Sequence, residues 1–155
     1  MPKNKSTTDK LSVGLELRGV RPSPQLKRAI VQRAKRMMQV LGLKNCELSL
    51  LLCGDRQIQI LNRRYRNKDK ATDVLSFPQI DDPRKMDCSM LGDVVISRTT
   101  AARQAREKGH SELDEITFLL AHGLLHLLGM DHRTAAEDRR MKARTDMLCQ
   151  AVSKA

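Results

Sequence analysis

Short segments of the chain either alternate apolar with polar residues or are briefly apolar throughout, and both patterns are typical of β-strands. Four segments have this character: 11–17, 48–52, 73–77 and 93–97. Pro78 ends the third segment, because proline cannot donate a backbone hydrogen bond to a neighbouring strand. The pattern therefore predicts four strands, with a charged loop at residues 81–90 before the last of them.

Apolar residues at intervals of three and four predict helices between the strands. Ser23 is a favourable N-cap, and Pro24 a favourable first residue, for a helix that Gly42 ends. Another helix is predicted over residues 98–108 and ends at Gly109. Glycine suits both ends because it adopts the left-handed conformation that closes a helix.

A short helix after the second strand is predicted to be capped by Asp55. One side of it carries Ile58, Leu61 and Tyr65. Residues 61–70, at its end, include five basic residues and one acidic residue. These can be solvated charges that the helix dipole favours. Arg66 and Lys68, however, lie near the turn before the third strand, from which a side chain can reach a phosphate over a neighbouring cleft.

The most apolar segment, residues 116–128, is interrupted only by a threonine, two histidines and a glycine. Ser111 and Asp114 resemble a capping box that begins this central helix. We expect the helix to be buried against the sheet, which would fix the rotamer of its histidines. Thr134 and Glu137 repeat the capping-box signal before a basic C-terminal helix.

Length and composition suit one soluble domain over residues 11–155. The chain has 155 residues, 40% of them hydrophobic, and no apolar run approaches the ~18 residues of a membrane span. Residues 1–10 lack an apolar stretch, so we expect a disordered polar tail and a cytoplasmic protein. Four scattered cysteines favour reduced thiols over a disulfide framework: Cys46, Cys53, Cys88 and Cys149.

The net charge of +11, from 29 basic and 18 acidic residues, indicates more than solubility. Lysine and arginine bind phosphates and release counterions, so a polyanionic partner is expected. Nucleic acid is favoured over a membrane, because no basic amphipathic segment carries bulky aromatic residues. Since the chain has one tyrosine and two phenylalanines, a stacking platform of the RRM or OB type is not expected. Charge and shape would hold the nucleic acid.

The segment HGLLHLLGMDH predicts a metal site. His122 and His126 are four residues apart, so they share one face of a helix. Gly129 lets the chain turn and bring His132 back toward them. Burying three imidazoles without partners would cost about 1–3 kcal/mol per group, and a bound cation removes that cost. Three nitrogen ligands with an open fourth position are the pattern of a catalytic zinc site.

The same spacing occurs in metzincin proteases, but Gly123 stands where their general-base glutamate belongs. This counts against peptide hydrolysis by that route. A metal can lower the pKa of bound water to about 7 without a neighbouring carboxylate. Two alternatives stay open: a small metalloprotease, and a non-catalytic RNA- or ribosome-binding factor whose zinc, closed by a fourth protein ligand, stabilises the fold.

Two further blocks accompany the histidine segment. The first includes Tyr65, Arg66 and TDVLSFP at residues 72–78, and the second is LGDVVIS at residues 91–97. Together, and in this order, the three blocks resemble the YbeY family of bacterial metal-dependent endoribonucleases, which is linked to ribosomal RNA maturation. Ala71 stands where that family often has proline.

The resemblance implies a single α+β domain with a small four-stranded mixed sheet, about five helices, and a central buried helix that carries the histidines. It implies zinc, although three imidazoles also suit nickel and other divalent transition metals. The implied substrate is single-stranded RNA, in maturation of the 3′ end of 16S ribosomal RNA and in ribosome quality control. The implied partners are the small ribosomal subunit and its assembly factors. The site residues are metal ligands His122, His126 and His132, catalytic Arg66, and substrate-binding candidates Lys68 and Ser76.

Several points of chemistry stay open at this stage. Asp131 can orient a ligating histidine or the water, or it can cap the helix end as a turn residue. Asp93 is a comparable candidate. Arg66 would offset charge on the phosphate during attack by water, or during attack by the ribose 2′-hydroxyl, which leaves a cyclic phosphate.

Overall fold

The computed structural model describes residues 10–79 and 90–153. This part of the chain holds four strands and five helices, as predicted. In chain order they are β1 (Leu11–Arg18), α1 (Pro24–Val40), β2 (Cys46–Cys53), α2 (Asp55–Arg66), β3 (Val74–Pro78), β4 (Met90–Ser97), α3 (Arg98–Lys108), α4 (Glu112–Leu127) and α5 (Ala135–Ser153). The predicted polar tail and charged loop lie outside the described residues, apart from Lys10 and Met90.

The strands form one mixed sheet in the order β1-β2-β4-β3. β2 pairs in parallel with both β1 and β4, whereas β3 pairs antiparallel with β4 at the edge. The predicted α+β fold with a four-stranded mixed sheet is therefore confirmed. β4 begins at Met90, inside the predicted loop, because Met90 pairs with Glu47 of β2. Such a long-range pairing leaves no local signal.

Alternate residues of the inner strands build a core on each face of the sheet. Leu48, Leu50 and Leu52 of β2 join the larger core. On that face lie α1, α4 and α5. Val95 of β4 points the other way, into a smaller core with Ile58 of α2. Alternate residues of a strand face opposite sides of the sheet. Helices α4 and α2 therefore pack on opposite faces, with the sheet between them.

The central helix α4 begins and is buried as predicted. The Ser111 hydroxyl accepts a hydrogen bond from the Asp114 N–H at 3.0 Å. Most residues of α4 are buried, and the helix contacts α1, α3, α5, β3 and β4. Before α5 the capping box is complete: the Thr134 hydroxyl accepts from the Glu137 N–H, and the Glu137 carboxylate accepts from the Thr134 N–H.

Asp55 does not cap α2 as predicted. Gly54 is the N-cap, and Asp55 is the first helical residue. Its carboxylate accepts hydrogen bonds at 2.6 Å from the hydroxyls of Ser97 and Thr100. Burial raises the pKa of Asp55, but these hydrogen bonds and the charge of Arg103 outweigh burial and hold it below its ordinary value. Asp55 therefore joins α2 to the start of α3, through partners that the local pattern could not reveal.

The three described cysteines, Cys46, Cys53 and Cys149, form no disulfide. Cys88 lies outside the described residues. Burial raises the pKa of the Cys53 and Cys149 thiols to about 11. Within residues 10–79 and 90–153, no helix has the length and apolar character needed to cross a membrane.

Candidate metal centre and RNA cleft

The end of α4 and the turn after it bring three histidines together. The ring centroids of His122 and His126, one helical turn apart, are 4.8 Å from each other. Gly129 then has a φ of +94°, a left-handed conformation that favours glycine. The chain returns, so the His132 centroid lies 5.6 Å from that of His122 and 5.3 Å from that of His126. One ring nitrogen from each histidine lies within 4.8 Å of the other two.

This arrangement is able to hold a metal ion. Burial, followed by the neighbouring imidazoles, lowers the pKa of His122 and His126 below the ordinary value. The neutral imidazole is the form with a lone pair for a metal. His132 is exposed and lies on the solvent side. Among the residues that the structure describes, no fourth histidine, cysteine or carboxylate joins the group, which fits an open rather than a closed site.

Gly123, at the metzincin glutamate position, is pressed against the sheet. A Cβ atom there would lie 2.7 Å from Val94 Cγ1 and 3.1 Å from Ser76 Oγ. The Ser76 hydroxyl donates a hydrogen bond to the Gly123 carbonyl at 3.0 Å. This position therefore has no room for a side chain, and the glycine is explained by close contact between α4 and the sheet.

Asp131 makes local contacts beside the site. One carboxylate oxygen accepts from the His132 N–H at 2.8 Å, and the other lies 2.8 Å from Arg133 Nε. The hydrogen bond from the His132 backbone, together with Arg133, lowers the pKa of Asp131. These contacts fit a turn residue that holds the backbone of a ligand; orientation of a ligating ring stays a prediction. Asp93 hydrogen bonds with Gln79 and does not line the histidine cleft.

A cleft of about 580 Å³ opens beside the histidines. Its lining includes all three histidines together with Arg66, Lys68 and Ser76. The residues predicted from the sequence to bind the metal or the substrate therefore lie together in one cleft. Ser76 is largely buried, and its hydroxyl is engaged by Gly123, so its role toward a substrate stays a prediction.

Arg66 is held at the edge of the sheet. Its Nη2 donates a hydrogen bond of 2.6 Å to the Ser76 carbonyl of β3, and its guanidinium lies 5.5 Å from the centroid of the Phe77 ring. Because Ser76 also bonds Gly123 in α4, a short chain of contacts connects Arg66 to the helix of the histidines. The end of α2 and the metal site are therefore fixed relative to each other.

A known protein family matches the part of the chain that contains the residues of this site. The family model described as Endoribonuclease YbeY matches residues 19–153, which is most of the chain. The chain belongs to the YbeY endoribonuclease family. The resemblance seen in the three sequence blocks is therefore confirmed.

Several relatives carry the same name. An Endoribonuclease YbeY from Aquifex aeolicus is 44% identical over 140 residues, covering 90% of this chain and 89% of the relative. One from Anaeromyxobacter is 48% identical over 124 residues, covering 80% of this chain and 64% of the relative. A chloroplastic Endoribonuclease YBEY from Arabidopsis thaliana is 49% identical, and this match covers 69% of the chain but 18% of that longer protein.

A solution structure of a Thermotoga maritima protein has the same fold. Its TM-score is 0.64 at 21% sequence identity, and the match covers 89% of this chain and 88% of that one. At this identity the likeness supports the fold alone. The α+β arrangement thus holds across distant sequences.

Two residues, Asp73 in the cleft and Asn62 at the basic turn beside it, were not predicted from the sequence. Asp73, read there as the start of a strand, is the carboxylate that lines the cleft within the described ranges. Its backbone carbonyl accepts from the Ser97 N–H of β4, and Gln104 Nε2 lies 3.4 Å from its side chain. Asn62 is buried and donates to the Lys70 carbonyl at 2.9 Å, which holds the basic turn after α2. Asp73 belongs to the TDVLSFP block that carries the resemblance, and that block was the signal that could have found it.

Proposed function

We propose that the protein is a metal-dependent endoribonuclease that cleaves single-stranded RNA. The observation that carries the proposal is the meeting of three converging imidazoles with Arg66 and Lys68 in one cleft. A divalent ion on nitrogen ligands and cations that contact the phosphate are groups that can promote phosphodiester cleavage. The net charge of +11 also favours a polyanionic substrate. The family name supports RNA as that substrate.

We propose that the ion is zinc, held by His122, His126 and His132. Neutral imidazoles suit zinc, and nickel or another divalent transition metal can occupy the same ligands. A divalent ion in this position would polarise a phosphoryl oxygen or lower the pKa of a water molecule. Three protein ligands leave a position for substrate, which favours a catalytic role over a purely stabilising one.

Other residues of the cleft would then bind the phosphates of the RNA and accept a proton. Arg66 would donate to the phosphate and offset the charge that gathers in the transition state. Lys68 lines the same cleft and adds a second cation for the backbone of the RNA. The Asp73 carboxylate can accept a proton from the attacking hydroxyl, whether of water or of the ribose. A 5′-phosphate on the downstream product would identify water as the nucleophile, and a 2′,3′-cyclic phosphate on the upstream product would identify the ribose.

Arg66→Glu is expected to lower kcat/KM for single-stranded RNA by roughly 10²–10³-fold, the usual effect of removing one preorganised donor to the transition state. Arg66→Lys keeps the charge but loses the planar fork, so a smaller loss of about tenfold is expected. Arg64→Glu is the matched control, because Arg64 is exposed at the same helix end and does not line the cleft. Cleavage assays with end-labelled RNA measure all three. An equal loss of kcat/KM in Arg64→Glu and Arg66→Glu would show that Arg66 contributes only to the general positive charge of the surface.

Asp73→Asn is expected to lower kcat by about 10²–10⁴-fold, the range of general acid–base catalysis, with little change in KM. The amide has the shape of the carboxylate but cannot accept the proton. The metal content should stay at the wild-type value, because Asp73 is not one of the three grouped ligands. Single-turnover cleavage with metal analysis of the same samples tests this. If Asp73→Asn kept the wild-type kcat, Asp73 would not be the general base.

The protease alternative is disfavoured by the contacts of Gly123. The base of a metzincin would have to stand at a position where a Cβ already comes within 2.7 Å of Val94. The alternative of a non-catalytic factor expects a closed site. The grouped ligands in the described chain number three rather than four, which favours an enzyme.

We further propose that the substrate is the 3′ end of 16S ribosomal RNA, in its maturation and in ribosome quality control. The partners would be the small ribosomal subunit and its assembly factors, in the cytoplasm. Support comes from the sequence blocks that resemble the YbeY family and from relatives that carry its name.

A further inference from the structure

Tyr65 lies in solvent at the end of α2. The sequence groups it with Ile58 and Leu61 on one side of the helix, but Ile58 is fully buried and Tyr65 is 59% exposed. It is the single tyrosine of the chain. A large aromatic side chain gains from burial in most folded proteins, so an exposed one calls for an explanation.

The Tyr65 ring is supported from below by Phe77. The two ring centroids are 5.4 Å apart with an interplanar angle of 64°, which is an edge-to-face contact. Phe77 in turn packs against the smaller core, which includes Ile58 and Val95. An exposed aromatic ring with a supporting contact loses little conformational freedom when a ligand binds, so it is a good platform for stacking.

The Phe77 ring also places Tyr65 beside the cleft. The Arg66 guanidinium lies 5.5 Å from the same ring and donates to the Ser76 carbonyl. Tyr65 and Arg66 therefore flank one side chain, and Arg66 lines the cleft of the three histidines. A ligand held by Arg66 at a phosphate is within reach of the exposed tyrosine.

The surroundings identify the chemistry of the ligand. Arg63 and Lys68 are both exposed near Tyr65, so this end of α2 is basic. An aromatic ring among cations suits a ligand that carries both flat rings and negative charge. Unpaired nucleotides have both, and bases stack on aromatic side chains without regard to sequence.

We propose that Tyr65 stacks on an unpaired base of the RNA, next to the nucleotide whose phosphate contacts Arg66. This inference rests on the proposed function and names a residue that positions the substrate. It adds one stacked base to the expectation that the nucleic acid is held mainly by charge and shape. A single stacked base would also favour single-stranded over duplex RNA, since a paired base keeps its faces covered.

Binding of a short single-stranded RNA, followed by fluorescence anisotropy, tests the proposal. Tyr65→Leu keeps apolar bulk without the ring and is expected to weaken binding roughly 5- to 150-fold, the range for one stacked base. Tyr65→Phe keeps the ring and should bind within about twofold of wild type. Met147→Ala is the control, because Met147 is an exposed apolar residue on α5, away from the cleft lining. Equal binding by wild type and Tyr65→Leu would overturn the proposal.

A scan with abasic nucleotides separates stacking from general packing. In wild-type protein, removal of one particular base should weaken binding as much as Tyr65→Leu does. In Tyr65→Leu, removal of that base should have no further effect, because both changes delete one interaction. A scan in which every abasic RNA binds wild type as tightly as the intact strand would overturn the proposal without any variant. Failure of wild type to bind or cut RNA would instead contradict the proposed function.

Discussion

Replacing His126 with alanine is expected to remove the metal ion and, with it, cleavage of RNA. His126 is the middle ligand, within 5.3 Å of both other rings by centroid distance. Two remaining imidazoles bind a divalent ion far more weakly than three. Since an ion contributes several kcal/mol to the transition state, we expect cleavage to fall at least about a thousandfold. Metal analysis of purified protein and single-turnover cleavage of RNA measure the two effects.

His110→Ala is the matched control for that experiment. His110 is the fourth histidine of the chain, and its ring bonds the buried carboxylate of Glu115 at 2.6 Å, outside the ligand group. Lys108 continues to pair with Glu115 in this variant. Metal content and cleavage should therefore match wild type. If His126→Ala kept both its metal and its activity, the three-histidine site would not be the catalytic centre.

Gly123→Glu, which completes the metzincin motif, is expected to disrupt the fold rather than create a protease. The new Cβ would overlap Val94, and the carboxylate would be forced into a closely packed apolar contact. Overpacking costs about 1–3 kcal/mol, and an unpaired buried charge adds more. We expect the free energy of unfolding to fall by at least about 3 kcal/mol. Urea denaturation measures the loss, and a casein assay tests for peptide hydrolysis.

A pair of alanine variants isolates the steric part of this effect. Gly123→Ala adds one methyl group against Val94, whereas a Cβ at Gly14 comes no closer than 4.0 Å to another atom, Glu47 Oε2. We expect Gly123→Ala to lower stability and to displace α4, and Gly14→Ala to leave stability near wild type. A Gly123→Glu protein of wild-type stability, or one that digests casein, would contradict this explanation of the glycine.

The sequence predicts the metal ligands because their geometry is local. The spacing of His122, His126 and His132 is set by one helical turn and one glycine, so no distant contact is needed to bring them together. The same holds for the Thr134 capping box and for the period-two strands. Patterns that span only a few residues can be predicted from the sequence alone.

The rest of the site depends on contacts between distant segments. Asp55 finds Ser97 and Thr100 more than 40 residues away, and neither partner is suggested by a local pattern. Asp73 lines the cleft because it directly precedes β3, which pairs antiparallel at the edge of the sheet and contacts α4. Tyr65 has apolar spacing, yet its ring contacts Phe77 of the edge strand β3 and stays largely exposed. The surroundings of these three side chains are therefore determined by contacts between segments that are distant in the sequence.

Removal and restoration of the metal tests the central claim most directly. The protein is treated with a chelator, dialysed, and assayed on end-labelled single-stranded RNA before and after addition of one equivalent of zinc. We expect cleavage to disappear with the metal and to return with it, at one ion per chain. Metal-free protein that cuts RNA as fast as the untreated sample would contradict the claim that three imidazoles hold the ion on which the reaction depends.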